Sequence, residues 1–370
     1  MGFSIRGLQV ARLLSVLAAA FLLLTGCLAD PVSTSRGFAV EPRELYFINS
    51  LAETVGVYQP DSGLLRPNAF AVGSMPNHIV YYDGKLFVVN SGDNSLSVYN
   101  RISFVSITEL YLGSGRNPYS IILSDQLGLG FVPNFADNSI AVIDLATLRV
   151  LEVFEHESLA TPQAGAVYNE YLFVTNPNYT NSGFGGGSVS VFRISDAALE
   201  FAGIIETGPD SNPQTAVVLP EREELHIVLT GIQNEDDGEV LILDISNLPD
   251  IPDPANDAQR LAVGGSPSAS LSGWNAATSS MYLSGTKGVL SYGLSGDQYV
   301  VLRDSDNPVL VPAGDLSFFS GVAVDAKRNQ LLITDFQADS LVLLQGDGYK
   351  MLDDRKVSDG PLAPLLVEVE

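Results

Sequence analysis

One frame of residues recurs along most of this 370-residue chain, and a repeat limits the possible folds more than any local motif does. Each copy holds a short apolar run, an Asn, a turn and a second apolar run. The clearest are LFVVNSGDNSLSVYN (86–100) and LGFVPNFADNSIAVID (129–144), both turning through Asp-Asn-Ser. The frame returns as ELYFINSLAETVGVYQ from Glu44 and QLLITDFQADSLVLLQ from Gln330. It is stretched in YLFVTN (171–176), whose partner SVSVFRI starts at Ser188, and loosened in ELHIVLTG from Glu224 and SMYLSGTKGVLSYGL from Ser280. That makes seven copies.

A second landmark precedes each copy, a Pro followed by a short apolar run, at Pro76, Pro118, Pro162, Pro213, Pro267 and Pro361, with Phe319 in the Pro place once. The spacings run from 42 to 54 residues, and a third apolar stretch such as VSITELYL (105–112) or VLEVFE (150–155) fills the interval. Four short strands per interval, with almost no amphipathic helical period, predict an all-β seven-bladed β-propeller of four-stranded blades over residues 44–370. The last Pro copy has no outer strands after it, and the first outer strands have no inner strand before them. Residues 361–369 are therefore expected to close the blade whose other strands occupy 44–72, leaving no unpaired inner edge.

On YLFVTN and VVNSGDNSLSVYN the chain resembles the YVTN-type repeats of bacterial and archaeal surface propellers and of YncE-like periplasmic proteins. The resemblance covers about residues 44–370 and weakens in the blades from Pro213 and Pro267, where the Asn-containing turn is lost. It implies fold more than function, since propellers host binders, lyases, lactonases and electron-transfer subunits alike.

The strand order places three long loops on the face where inner strands begin: Pro177 to Gly187, Gly231 to Asp237 and Asp304 to Leu316. The opposite face has one, Asn247 to Ala258. Long loops on a rigid scaffold favour the first face as the functional one. Around its axial mouth the residues after the landmarks are Asn77, Tyr119, Gln163, Gln214, Ser268, Ser320 and Leu362, then His78, Ser120, Ala164, Thr215, Ala269, Gly321 and Ala363. The first set is mostly amides and hydroxyls, which hydrogen-bond without carrying charge. It suits either a small polar ligand or a solvated channel. These positions hold no Asp or Glu, so His78 is the single candidate general base. Propeller lyases and lactonases typically place a His or several carboxylates with a metal in the central funnel, and this sequence departs from that pattern. His156 and His226 do not converge with His78. Glu235, Asp236, Asp237 and Glu239 lack a calcium-loop spacing, and the Gly-rich run 183–187 lacks the Lys and helix of a phosphate loop. No metal and no cofactor is expected.

Lys and Arg total 19 against 43 Asp and Glu, a formal charge of −24, which excludes tracking of a nucleic-acid backbone. Cys27 is the only cysteine, so no disulfide and no cysteine-built zinc site can form. Arg6 and Arg12 precede an apolar run, Leu13 to Leu24, of twelve residues, against about 20 needed to cross a bilayer. The run ends in Leu24-Thr25-Gly26-Cys27, which resembles a bacterial lipobox. The expected organisation is a lipoprotein signal peptide at 1–26, a lipidated Cys27 with a tether to residue 43, and the propeller. Leu28, in the place where lipoproteins kept at the inner membrane carry Asp, favours an outer-membrane or cell-surface destination. The function expected is a monomeric, non-catalytic binding module of the cell envelope that meets an envelope or extracellular protein and touches the membrane only through its lipid. One alternative is a small-molecule capture lipoprotein, as in surface propellers that bind cobalamin. The other is a lactonase- or lyase-like enzyme using His78.

Overall fold

In the computed structural model, residues 42–180, 183–232, 235–311 and 318–368 are described, so the leader, Cys27 and nearly all of the tether lie outside the described residues. Seven four-stranded antiparallel sheets stand as blades around one axis. Blade 1 pairs Pro361–Glu368 as its inner strand with Arg43–Asn49, in the register Arg43↔Glu368 to Asn49↔Pro361. The ring closes by hydrogen bonds between the two ends of the domain, as the landmark order requires. Blades 2 to 7 follow in chain order with inner strands Pro76–Tyr82, Ile122–Ser124, Gly165–Tyr168, Pro213–Leu219, Pro267–Leu271 and Phe319–Asp325. The first strand begins one residue before the expected boundary, at Arg43.

Successive side chains of a strand point to opposite faces, and in the second and third strands of each blade both faces are buried, so those strands read as nearly continuous apolar runs, whereas outermost strands such as Met351–Lys356 are mostly exposed. Leu45 and Phe47 pack into the seam with blade 7, whereas Tyr46 and Ile48 pack into the seam with blade 2. Each of the seven seams has its own apolar cluster built this way. Burial of one such Leu, Ile or Phe contributes about 1.5–3 kcal/mol, so the seams hold the ring without a covalent staple.

The repeat motif has a physical cause. The Asn ending the second strand of a blade donates to a hydroxyl among the first residues of the third. Asn49 bonds Thr54 at 3.0 Å, Asn90 bonds Ser97 at 2.8 Å, Asn134 bonds Ser139 at 2.9 Å and Asn176 bonds Ser190 at 2.9 Å. In blades 5 to 7 the position falls to Leu229, Gly285 and Asp335. The second Asn of the motif turns the chain through the left-handed region, with φ 52° at Asn94 and 56° at Asn138, which Asn tolerates well. Its Oδ1 then accepts from the backbone leading to the next blade: Asn94 from Arg116 N at 2.7 Å, and Asn138 from Thr161 N at 2.7 Å.

Candidate functional site: an uncharged axial cavity

Inner strands run away from the mouth, so their first residues surround its rim and later ones line the throat. The rim is tied from blade to blade by hydroxyls donating to backbone carbonyls. Ser91 donates to Pro118 O, Ser120 to Gln163 O at 2.8 Å, Thr175 to Gln214 O at 3.4 Å, Thr230 to Pro267 O at 2.7 Å, and Ser320 to Pro361 O. Within that rim lies a cavity of about 900 Å³.

Of the expected mouth residues, the cavity brings together Asn77, His78, Tyr119, Ser120, Ala164, Gln214, Thr215, Ser320, Leu362 and Ala363. Gln163 and Gly321 are not in its lining. Gln163 is 5% exposed, packed behind the rim, because the inner strand of blade 4 becomes regular only at Gly165. The side chains of Ser268 and Ala269 lie outside the described set. Further down, Ile79, Ile121, Val217, Val322 and Leu365 make an apolar throat. Among the described residues the lining contains no Asp, Glu, Lys or Arg.

The rim amides are anchored. Asn77 Nδ2 donates to Ser91 Oγ at 2.6 Å and Gln214 Nε2 to Asn212 Oδ1 at 3.0 Å. An amide offers two donor hydrogens and two acceptor lone pairs, so one bond fixes its direction and leaves capacity for a guest. His78 is half-buried, and its Nδ1 accepts from Ile121 N at 3.3 Å, which puts the proton of the neutral ring on Nε2. Burial lowers its pKa to about 4, so at neutral pH the ring is an uncharged donor and a weak proton acceptor. Burial likewise raises the Tyr119 phenol, which stays protonated.

Aromatic rings escaped the sequence reading. Phe184, Phe318 and Phe336 join Tyr119 in the cavity wall. Phe184 comes from the Gly-rich loop, which folds back as a small hairpin pairing Tyr179–Thr180 with Gly183–Phe184. Residues 181–182, 233–234 and 312–317 of the three long loops lie outside the described residues. A signal existed for Phe135 and Phe336: both occupy the residue after the second strand, where blade 2 has Ser91. The other histidines serve packing. His156 stacks on Phe201 with centroids 4.5 Å apart, and His226 is fully buried against Tyr292. Trp274 packs edge-on against Tyr299, in keeping with a core role. No group of three or more His, Cys, Asp or Glu suited to a metal forms among the described residues.

Fold and site together define a seven-bladed β-propeller with a neutral, aromatic-rimmed axial cavity. No family model matches the sequence, and no curated protein matches it. Among solved structures the chain is similar to the periplasmic gluconolactonase PpgL of Pseudomonas aeruginosa, with 15% identity over 89% of this chain and 100% of that one, TM-score 0.63. It is also similar to a protein from Lactobacillus plantarum (12% identity, 89% and 100% covered, TM-score 0.61) and to apo AztD from Citrobacter koseri (12%, 89% and 98%, TM-score 0.56). At these identities the likeness establishes the propeller fold alone.

Proposed function

We propose that this protein is a non-catalytic binding propeller of the bacterial envelope whose axial cavity takes an uncharged ligand. The observation that carries the reading is the lining: about 900 Å³ without a charged side chain among the described residues, in a chain with 43 acidic residues. A buried charge needs a partner, and this wall offers none, so a neutral guest is favoured. The volume suits a small organic molecule. His78 speaks against hydrolysis or elimination, because a base with a pKa of about 4 and no carboxylate beside it in the lining drives proton transfer poorly at neutral pH. The leader and Leu24-Thr25-Gly26-Cys27 support a lipid-anchored, extracytoplasmic location, and the similar PpgL is described as periplasmic.

The test dialyses the protein against a small-molecule extract of envelopes and identifies retained compounds by mass spectrometry, beside a Thr215→Trp variant whose indole fills the cavity. Neutral compounds retained by the wild type and lost from the variant are expected. Retention of charged compounds alone, or equal retention by both proteins, overturns the reading. A second reading, a partner protein docked over the mouth, is favoured by exposed Leu51, Met75, Tyr179, Ile232 and Val311 on the loops of the mouth face. With detergent-solubilised envelopes in place of the extract, it would appear as a protein captured by wild type and Thr215→Trp alike.

A further inference from the structure

The cavity wall is not apolar in a uniform way; its rings are gathered on two sides. On blades 3 and 4 a run of four rings passes from the wall over the rim. Tyr119 and Phe135 have centroids 6.2 Å apart, Phe135 and Tyr179 6.4 Å, and Tyr179 and Phe184 5.1 Å. On blade 7, Phe318 and Phe336 stack at 5.1 Å with their planes only 21° apart. In the ring order blade 7 is three places from blade 4 one way and four the other, so the two groups face each other across the axis. Four of these six rings line the cavity itself. Between them stand the anchored amides of Asn77 and Gln214 and the protonated Nε2 of neutral His78.

Resting on the proposed function above, we infer that the ligand is a neutral planar aromatic or conjugated compound, held by its faces and edges between the two aromatic groups. Three features lead there. Aromatic pairs gain from offset-stacked and edge-to-face contact beyond the area they bury, a gain that a saturated guest of equal size does not receive. The guest's polar substituents meet amides and an imidazole N–H, which suit carbonyl or hydroxyl groups on a ring. The throat beneath, made of Ile, Val and Leu side chains, excludes a guest that carries hydroxyls all round, because each would be buried without a partner.

Two neutral alcohols of similar size separate planarity from mere apolarity: 2-naphthol, planar and aromatic, and 1-adamantanol, saturated and globular. Each is titrated calorimetrically into the wild-type protein and into Phe184→Ala, Phe336→Leu and Thr215→Trp, with circular dichroism confirming the fold of each. The expected result is that 2-naphthol binds at least about tenfold more tightly than 1-adamantanol. Each ring substitution should weaken 2-naphthol about threefold to tenfold and leave 1-adamantanol unchanged, and Thr215→Trp should abolish both. Equal binding of the two alcohols, both lost in Thr215→Trp, overturns the aromatic inference and leaves the neutral cavity standing. Naphthol binding that ignores both ring substitutions also overturns it. No binding of either alcohol overturns the inference together with the cavity reading.

Discussion

The two ends of the same blades are fastened by different chemistry. At the mouth end the seams are tied mostly by neutral groups, Ser and Thr hydroxyls to carbonyls and Asn side chains to turns, with Asp236 and Asp339 accepting from Gly265 N and Gly360 N in blades 5 and 7. The Arg116–Asp137 pair lies at the same end but does not line the cavity. At the far end buried ions do the same job. Arg43, 3% exposed, pairs with Asp325 of blade 7, 2% exposed, and Arg328 reaches the same carboxylate at 3.0 Å. Glu44 binds Arg101 of blade 2 at 2.8 Å, and the Tyr58 hydroxyl donates to Asp353 at 2.6 Å. Between blades 5 and 6, Glu224 accepts from Arg222 at 2.8 Å and from Tyr299, while His226 meets Tyr292 at 2.8 Å. Burial raises the Glu224 carboxyl, yet the bonds from His226, Arg222 and Tyr299 outweigh it and hold the pKa at about 2. The protein has charge enough to line its cavity, yet no described residue of the lining carries one. Neutrality of the cavity wall is a matter of placement, and it supports reading the cavity as selective for uncharged guests.

The contrast is broken most severely at the far end. Arg43→Ala leaves Asp325 buried with only part of its compensation, and urea unfolding should show a loss of about 3–5 kcal/mol. A loss under about 1 kcal/mol would mean that the seam does not depend on this pair. At the mouth end, Asn134→Ala removes a neutral bond from a fully buried site and should cost about 1–3 kcal/mol by the same measurement, with an unchanged slope against urea. Ser120→Ala, which cuts one blade-to-blade bond, should cost about 1 kcal/mol. Acid provides the smallest test. A histidine whose pKa falls from 6.5 to about 4 on folding makes the unfolded chain bind more protons between those values, so stability should decline as pH drops through that window. His226 is lowered by burial too and adds to the same decline. Glu224, depressed from 4.5 to about 2, contributes stability above pH 4.5 that is lost on acidification toward 2. At pH 6 the histidine contribution is under about 1 kcal/mol per group, and His78→Asn should flatten the upper part of the curve without changing the lower.

The architecture was legible in the sequence because its cause is periodic. The second and third strands of every blade are buried on both faces and every blade is entered at a Pro or its Phe substitute, so blade number and closure follow from order alone. The uncharged mouth was legible too, since its residues hold fixed places after the landmarks. Gln163 was misplaced because position after a landmark says nothing of how irregular the approach to the inner strand is. Arg43–Asp325 and Glu224–Tyr299 join residues 282 and 75 positions apart, each once, and a contact that occurs once has no period to betray it. The same holds for Phe184, whose small hairpin is inserted between the second and third strands of blade 4.

Blade 1 has a further consequence for how this molecule can be handled. Arg43 and Glu368 lie opposite each other as neighbours, so the described domain has a seam where other domains have ends. Linking those ends by a few residues and opening the chain in another loop would leave every blade-to-blade seam intact. What such a circular permutant could not carry with it is the ionic fastening. Arg43 and Tyr58 grip blade 7, and Glu44 grips blade 2, wherever the chain is cut. A permutant opened within blade 3 would therefore place its new break in a blade without those grips, and its loss of stability measures what the old closure required.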